Sequence, residues 1–182
     1  CGVKVTCYLI YSVHLMSNPL VRILGIDPGF DRLGVCILDK EGSKEVLVHS
    51  LCIITSRTDS FEKRVGAIGS QLEALIKEYG PQELAIEKLF FAKNQTTAIN
   101  VAEVRGVVLY LAHIHALSIH EYSPPQIKLA VAGHGNATKK DIAHMVPKIL
   151  KIPLSVSLLD DELDAIAIAL THSAHRKMTL WK

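Results

Sequence analysis

From residue 20 onward the chain changes its hydrophobic period several times. VRILGID (21–27), LGVCIL (33–38) and VLVHSLCIIT (46–55) are apolar runs separated by turn residues, the pattern of buried strands. Lying so close together, they predict an antiparallel meander. SFEKRVGAIGSQLEALIKEYG (60–80) takes up helical spacing and halts at Tyr79-Gly80-Pro81, a strong helix stop. ELAIEKLF (83–90) predicts a fourth strand, TTAINVAEVRGVVLYLAHIHAL (96–117) a long helix apolar on more than one face, and LSIHEYS (117–123) a fifth strand. Pro124-Pro125 then opens a short helix, GHGN (133–136) is a loop, and TKKDIAHMVPKILKI (138–152) is a helix with Thr138 as its cap. DDELDAIAIALTHSAHR (160–176) closes the series as an amphipathic helix, with Asp160 as its N-cap. The order predicts an α/β fold with a five-stranded mixed sheet and helices on both faces. It fills one domain over 20–176, between a non-core extension (1–19) and a short tail (177–182).

Two of these strands carry a carboxylate out of an apolar run: Asp27 after ILGI and Glu87 after LAI. Sites in open α/β sheets form at the carboxyl ends of strands, so the two acids can share one. Asp161 and Asp164, three apart, fall on one face of the first turn of the last helix. Each also has a plain structural reading: Asp27 as a turn residue before Pro-Gly, Glu87 as a strand end, and the Asp160–Asp164 run as a complement to the helix dipole. Convergence favours chemistry, because clustered carboxylates disfavour one another's charged forms. Hard divalent cations relieve that repulsion, and two of them about 4 Å apart can activate water against a phosphodiester.

Composition narrows the partners little. The 182 residues carry a net charge of +2, which permits a nucleic-acid surface without requiring one. Four cysteines without a C-x-x-C spacing suggest neither disulfides nor zinc, and fit a reducing cytoplasm. CGVKVTCYLIYSVHL (1–15) is too short to span a bilayer and lacks a good cleavage site; Met16 reads as a natural start. Arg32, Lys88, Lys93, Arg105, Lys128, Lys139 and Lys140 are candidate phosphate contacts. Phe90 and Phe91 precede Lys93-Asn94; one of the two reads as core packing and Phe90 as exposed, where a base can stack on it. His113, His115, His120, His134 and His144 show no zinc spacing and read as core or surface histidines. His172, two turns past Asp164, falls where it could overlook the acids.

GIDPG (25–29), AIEKLFFAKN (85–94) and DELDAIAIALTH (161–172), in that order, resemble the RuvC family of Holliday-junction resolvases. The likeness covers about residues 20–175. It implies a ribonuclease-H-like fold, a homodimer, and Mg²⁺-dependent paired nicking of four-way DNA junctions to leave 5′-phosphate and 3′-hydroxyl ends. It places the ligands and catalysts on Asp27, Glu87, Asp161 and Asp164, with two Mg²⁺ per site and Mn²⁺ as a substitute. It also implies Phe90 as a DNA contact, Lys128, Lys139 and Lys140 as contacts to DNA or helpers near the active site, and a RuvA/RuvB-like branch-migration complex as a partner. Lys93, beside the aromatic pair, joins the DNA contacts on its position alone. The loop FDRLG (30–34) departs from the family's small polar residues, and Glu162-Leu163 stand between the last two acids where small residues are usual. Three other classes remain open. An actin-like or sugar-kinase ATPase would need a second D-x-G strand turn, which the chain lacks. A junction-binding protein without chemistry would fare better with fewer acids facing phosphate. A relative acting on RNA fits AIEKLFFAKN less well.

Overall fold

The computed structural model describes residues 20–89, 95–153 and 155–179. Its elements are β1 (Val21–Asp27), β2 (Arg32–Glu41), β3 (Lys44–Ile54), α1 (Phe61–Tyr79), β4 (Glu83–Glu87), α2 (Gln95–Ile114), β5 (Ser118–Tyr122), α3 (Pro124–Ala132), α4 (Lys139–Leu150) and α5 (Asp160–Thr179). The strands form one sheet of order β3-β2-β1-β4-β5. β1, β2 and β3 make the antiparallel meander that their short spacing predicts. β4 and β5 add in parallel beyond β1, each reached through a helix. The strand expected over 83–90 ends sooner, at Glu87, where Lys88 turns out to solvent.

Strand alternation sorts the core into two layers. Leu24 and Ile26 of β1, Leu33, Val35 and Ile37 of β2, and Leu84 and Ile86 of β4 face α1 and α2. Ile23, Cys36, Leu38 and Ala85 face the opposite layer of α3, α4 and α5. α1 is bounded as the sequence indicates: Ser60 accepts the Lys63 N–H at 3.4 Å, and Gly80 takes the left-handed conformation at φ 58°. Thr138 caps α4 in a reciprocal box with Asp141.

α5 differs from the amphipathic helix expected of it. Residues 165–173 are buried on every side, because α5 lies between the sheet and the α3–α4 pair. Small residues make this possible: Ala165, Ala167 and Ala169 keep the helix narrow, and Thr171 returns its hydroxyl to the Ala167 carbonyl at 2.7 Å. Asp160 is not the N-cap but the first helical residue, while Glu162 reaches back to accept the Leu159 N–H at 2.8 Å.

Candidate active site

Asp27 and Glu87 end adjacent parallel strands, in a register that pairs Ile26 with Ile86. Ile26 and Ile86 both point into the α1–α2 core, so alternation turns both acids to the α5 side of the sheet. What brings α5 to them is glycine. A Cβ at Gly25 would collide with the Ala165 carbonyl oxygen and the Ala169 Cβ, and one at Gly34 with the Asp161 carbonyl. With neither side chain present, the start of α5 rests directly on β1 and β2.

Asp27, Glu87 and Asp164 line one cleft of about 290 Å³ with Lys128 and Lys139, over an apolar floor that includes Ile127, Ile142 and Ile168. The Lys139 Nζ lies 2.8 Å from Asp164 Oδ2. Burial, then the charges of Asp164 and Glu87, push the Asp27 carboxyl up to about 7, against the pull of Lys139. Burial and Asp164 raise Glu87 as well. The hydrogen bond to Asp164 raises Lys139, fixing its charge. Two carboxyls that burial and the Asp164 charge hold back from ionising, with a lysine ammonium already on Asp164, fit a divalent cation held by oxygen ligands.

Asp161 stands apart. Its Oδ2 accepts from Arg32, at 2.7 Å from Nε and 2.5 Å from a terminal guanidinium nitrogen, and it does not line the cleft. It nevertheless remains near enough to push Asp27 in the same direction as the other acids do. Sequence reasoning placed Arg32 among phosphate contacts; the structure pairs it with a candidate ligand instead. Asp31, next to it, carries its charge away from the cleft, into an ion pair with Arg57 at 2.7 Å and a second with Arg64. Those pairs hold its carboxyl below the usual range, the Arg64 hydrogen bond contributing most.

The other candidate DNA contacts divide. Lys128 and Lys139 line the cleft, and Lys140 lines an adjoining hollow of about 150 Å³ with Asp160 and Asp164. Arg105 is bound to Glu121 and largely buried, so it is no free phosphate contact. Phe90 and Lys93 lie outside the described residues. His172 does not overlook the acids. It is buried, with Nδ1 2.7 Å from the Tyr122 hydroxyl and Nε2 2.5 Å from Glu83. The residues that sequence reasoning missed are Gly25 and Gly34, which show in the sequence only as small residues within apolar strands.

A meander extended by two parallel strands, with carboxylates at the central strand ends and under one helix start, defines a ribonuclease-H-like nuclease. The family model for "Crossover junction endodeoxyribonuclease RuvC" matches residues 23–172. The RuvC crossover junction endodeoxyribonuclease of Petrotoga mobilis is 43% identical over 155 residues, covering 85% of this chain and 94% of its own. That of Stenotrophomonas maltophilia is 40% identical over 161 residues, covering 88% and 91%. Thermus thermophilus RuvC in complex with a Holliday junction substrate superposes with a TM-score of 0.81 at 33% identity, covering 87% of this chain and 96% of that one. The yeast mitochondrial Holliday junction resolvase Ydc2, at 15% identity and a TM-score of 0.62, shares the fold. The chain belongs to the RuvC family of crossover junction endodeoxyribonucleases. Among the described residues no helix is long and apolar enough to cross a membrane.

Proposed function

We infer that this chain is a structure-selective endonuclease that resolves four-way DNA junctions by paired nicks, and that Asp27, Glu87, Asp161 and Asp164 hold its divalent cations. The observation that carries the site assignment is the convergence of Asp27, Glu87 and Asp164 on one cleft, with Asp27 raised to about 7. Bound there, Mg²⁺ (or Mn²⁺ in its place) would polarise the scissile phosphate and acidify the attacking water, two ions being the number that four acids suit. The protein's own part is to fix ligand oxygens at two strand ends and one helix turn. Lys128 at the cleft and Lys140 beside it supply positive charge for the junction backbone. Lys139, displaced from Asp164 by a cation, would turn its ammonium to phosphate.

Paired nicks need two sites, and α2 offers a surface for a second copy. Ile99 and Tyr110 are about 60% exposed on α2, at 59% and 63%, with the bare Gly106 between them at helical spacing. A two-fold dimer through this stripe would set two acid clusters against a two-fold junction. A branch-migration complex of the RuvA/RuvB kind rests on family membership alone.

The test is nicking of a synthetic four-way junction, with wild type beside Glu87→Gln, with and without Mg²⁺. Symmetric cuts near the crossover, lost in the variant and without metal but with junction binding intact, are expected. Normal cutting by Glu87→Gln would overturn the assignment of the acids.

A further inference from the structure

At the other end of β4 lies a second polar cluster, which the nuclease reading does not use. Glu83 opens β4, His120 lies in the middle of β5, and His172 is in α5, two turns beyond Asp164. One ligand atom from each lies within 4.8 Å of the others. The rings of His120 and His172 are stacked, with centroids 4.1 Å apart. Alternation along β4 and β5 explains the meeting: Glu83 shares its face with Ala85, and His120 shares its face with Tyr122, both turned toward α5.

From this geometry we propose that Glu83, His120 and His172 form a zinc site that ties the open β5 edge of the sheet to α5. Two imidazoles and one carboxylate are a donor set suited to Zn²⁺, and the fourth position is left to water. The surroundings match those of ligating groups. The His172 Nδ1 is 2.7 Å from the Tyr122 hydroxyl, so that hydroxyl can accept from Nδ1–H while Nε2 takes the metal. The Nε of Arg176 lies 3.0 Å from Glu83 Oε1 and 2.8 Å from Oε2, orienting the carboxylate from the outside. Burial keeps His172 uncharged, pulling it down to about 4, so a lone pair is available near neutral pH.

Metal-free, Nε2 of His172 and Oε2 of Glu83 are 2.5 Å apart. Tetrahedral ligands about 2 Å from zinc stand roughly 3.3 Å apart, so binding asks these atoms to part by less than about 1 Å. The Nε2 proton would pass to Nδ1, and Tyr122 would change from donor to acceptor. Arg176 is the opposing element, since its charge competes with the ion for Glu83. It is 31% exposed and lies one turn beyond His172, free to swing outward when the ion enters. This sets a direction that a merely structural hydrogen-bond cluster would not show: removing Arg176 tightens the site.

The experiment uses the full chain, stripped of metal, titrated with Co²⁺ for its visible d–d absorption and with Zn²⁺ for its thermal midpoint. Wild type is compared with His120→Phe, Arg176→Ala and Glu87→Gln, the folded state of each checked by circular dichroism. One equivalent of Co²⁺ should give a tetrahedral spectrum and Zn²⁺ should raise the midpoint, both lost in His120→Phe and retained in Glu87→Gln. Arg176→Ala should bind several-fold more tightly. Binding that survives His120→Phe but disappears in Glu87→Gln would place the ion among the nuclease acids and overturn the proposal. So would the absence of a 1:1 cobalt spectrum at micromolar metal.

Discussion

Asp27 is the residue whose environment conflicts most with its charge. Its carboxyl is raised from 3.8 to about 7, so the folded protein binds that proton more tightly than the unfolded chain does. Below pH 4 both states are protonated and the site costs nothing. Stability is then lost as pH rises from about 4 through about 7, at roughly 1.4 kcal/mol for each pH unit crossed, and above that the loss is complete. Asp27→Asn without metal should therefore melt several degrees higher than wild type at pH 8, and the gap should close toward pH 4. Differential scanning calorimetry at the two pH values checks this; a variant no more stable at pH 8 would show that the acid cluster is not strained. Mg²⁺ should stabilise wild type and leave Asp27→Asn little changed. Arg32 makes a different prediction. Its pair with Asp161 is partly exposed on both sides, so Arg32→Ala should leave the thermal midpoint nearly unchanged. By freeing Asp161 it should lower the Mg²⁺ concentration at half-maximal nicking, read from a metal titration.

For the elements, the site depends on how closely α5 approaches the sheet. Gly34→Ala puts a methyl group against the Asp161 backbone, and neither a strand nor a helix backbone yields easily. Overpacking of this kind costs about 1–3 kcal/mol. The larger effect should be on activity: a shift of about 1 Å in a ligand-bearing turn can cost a hundredfold in rate. Gly34→Ala should remain folded by circular dichroism and lose nicking at least a hundredfold. Gly66→Ala, where an added Cβ meets nothing, is the control and should cut normally.

For the whole molecule, the exposed α2 stripe carries the expectation of a dimer. Tyr110→Asp should leave the fold intact, since the side chain is 63% exposed, and should shift the protein to monomer in light scattering. Junctions should then be nicked on one strand at a time, the two cuts uncoupled. A variant that stays dimeric would move the interface elsewhere.

Local pattern determined much of this protein. Apolar period marked the strands and helices found among the described residues, because each element must bury at least one face. Motif order gave the family, and apolar runs ending in acids marked Asp27 and Glu87. Chain contacts between distant segments decided the rest. That residues 165–173 of α5 are buried all round, and that Asp164 reaches the cleft beside Asp27, depends on Gly25 and Gly34 meeting Ala165 and Ala169 across more than a hundred residues of chain. That Arg32 pairs with Asp161, while Asp31 pairs with Arg57 and Arg64, follows from which way each side chain points where the loop after β1 enters β2. Spacing along the chain could not bring Glu83, His120 and His172 together, because they come from two strands and a helix. Local propensity acts over a few residues, whereas a site is made by side chains that only packing brings within a few ångströms.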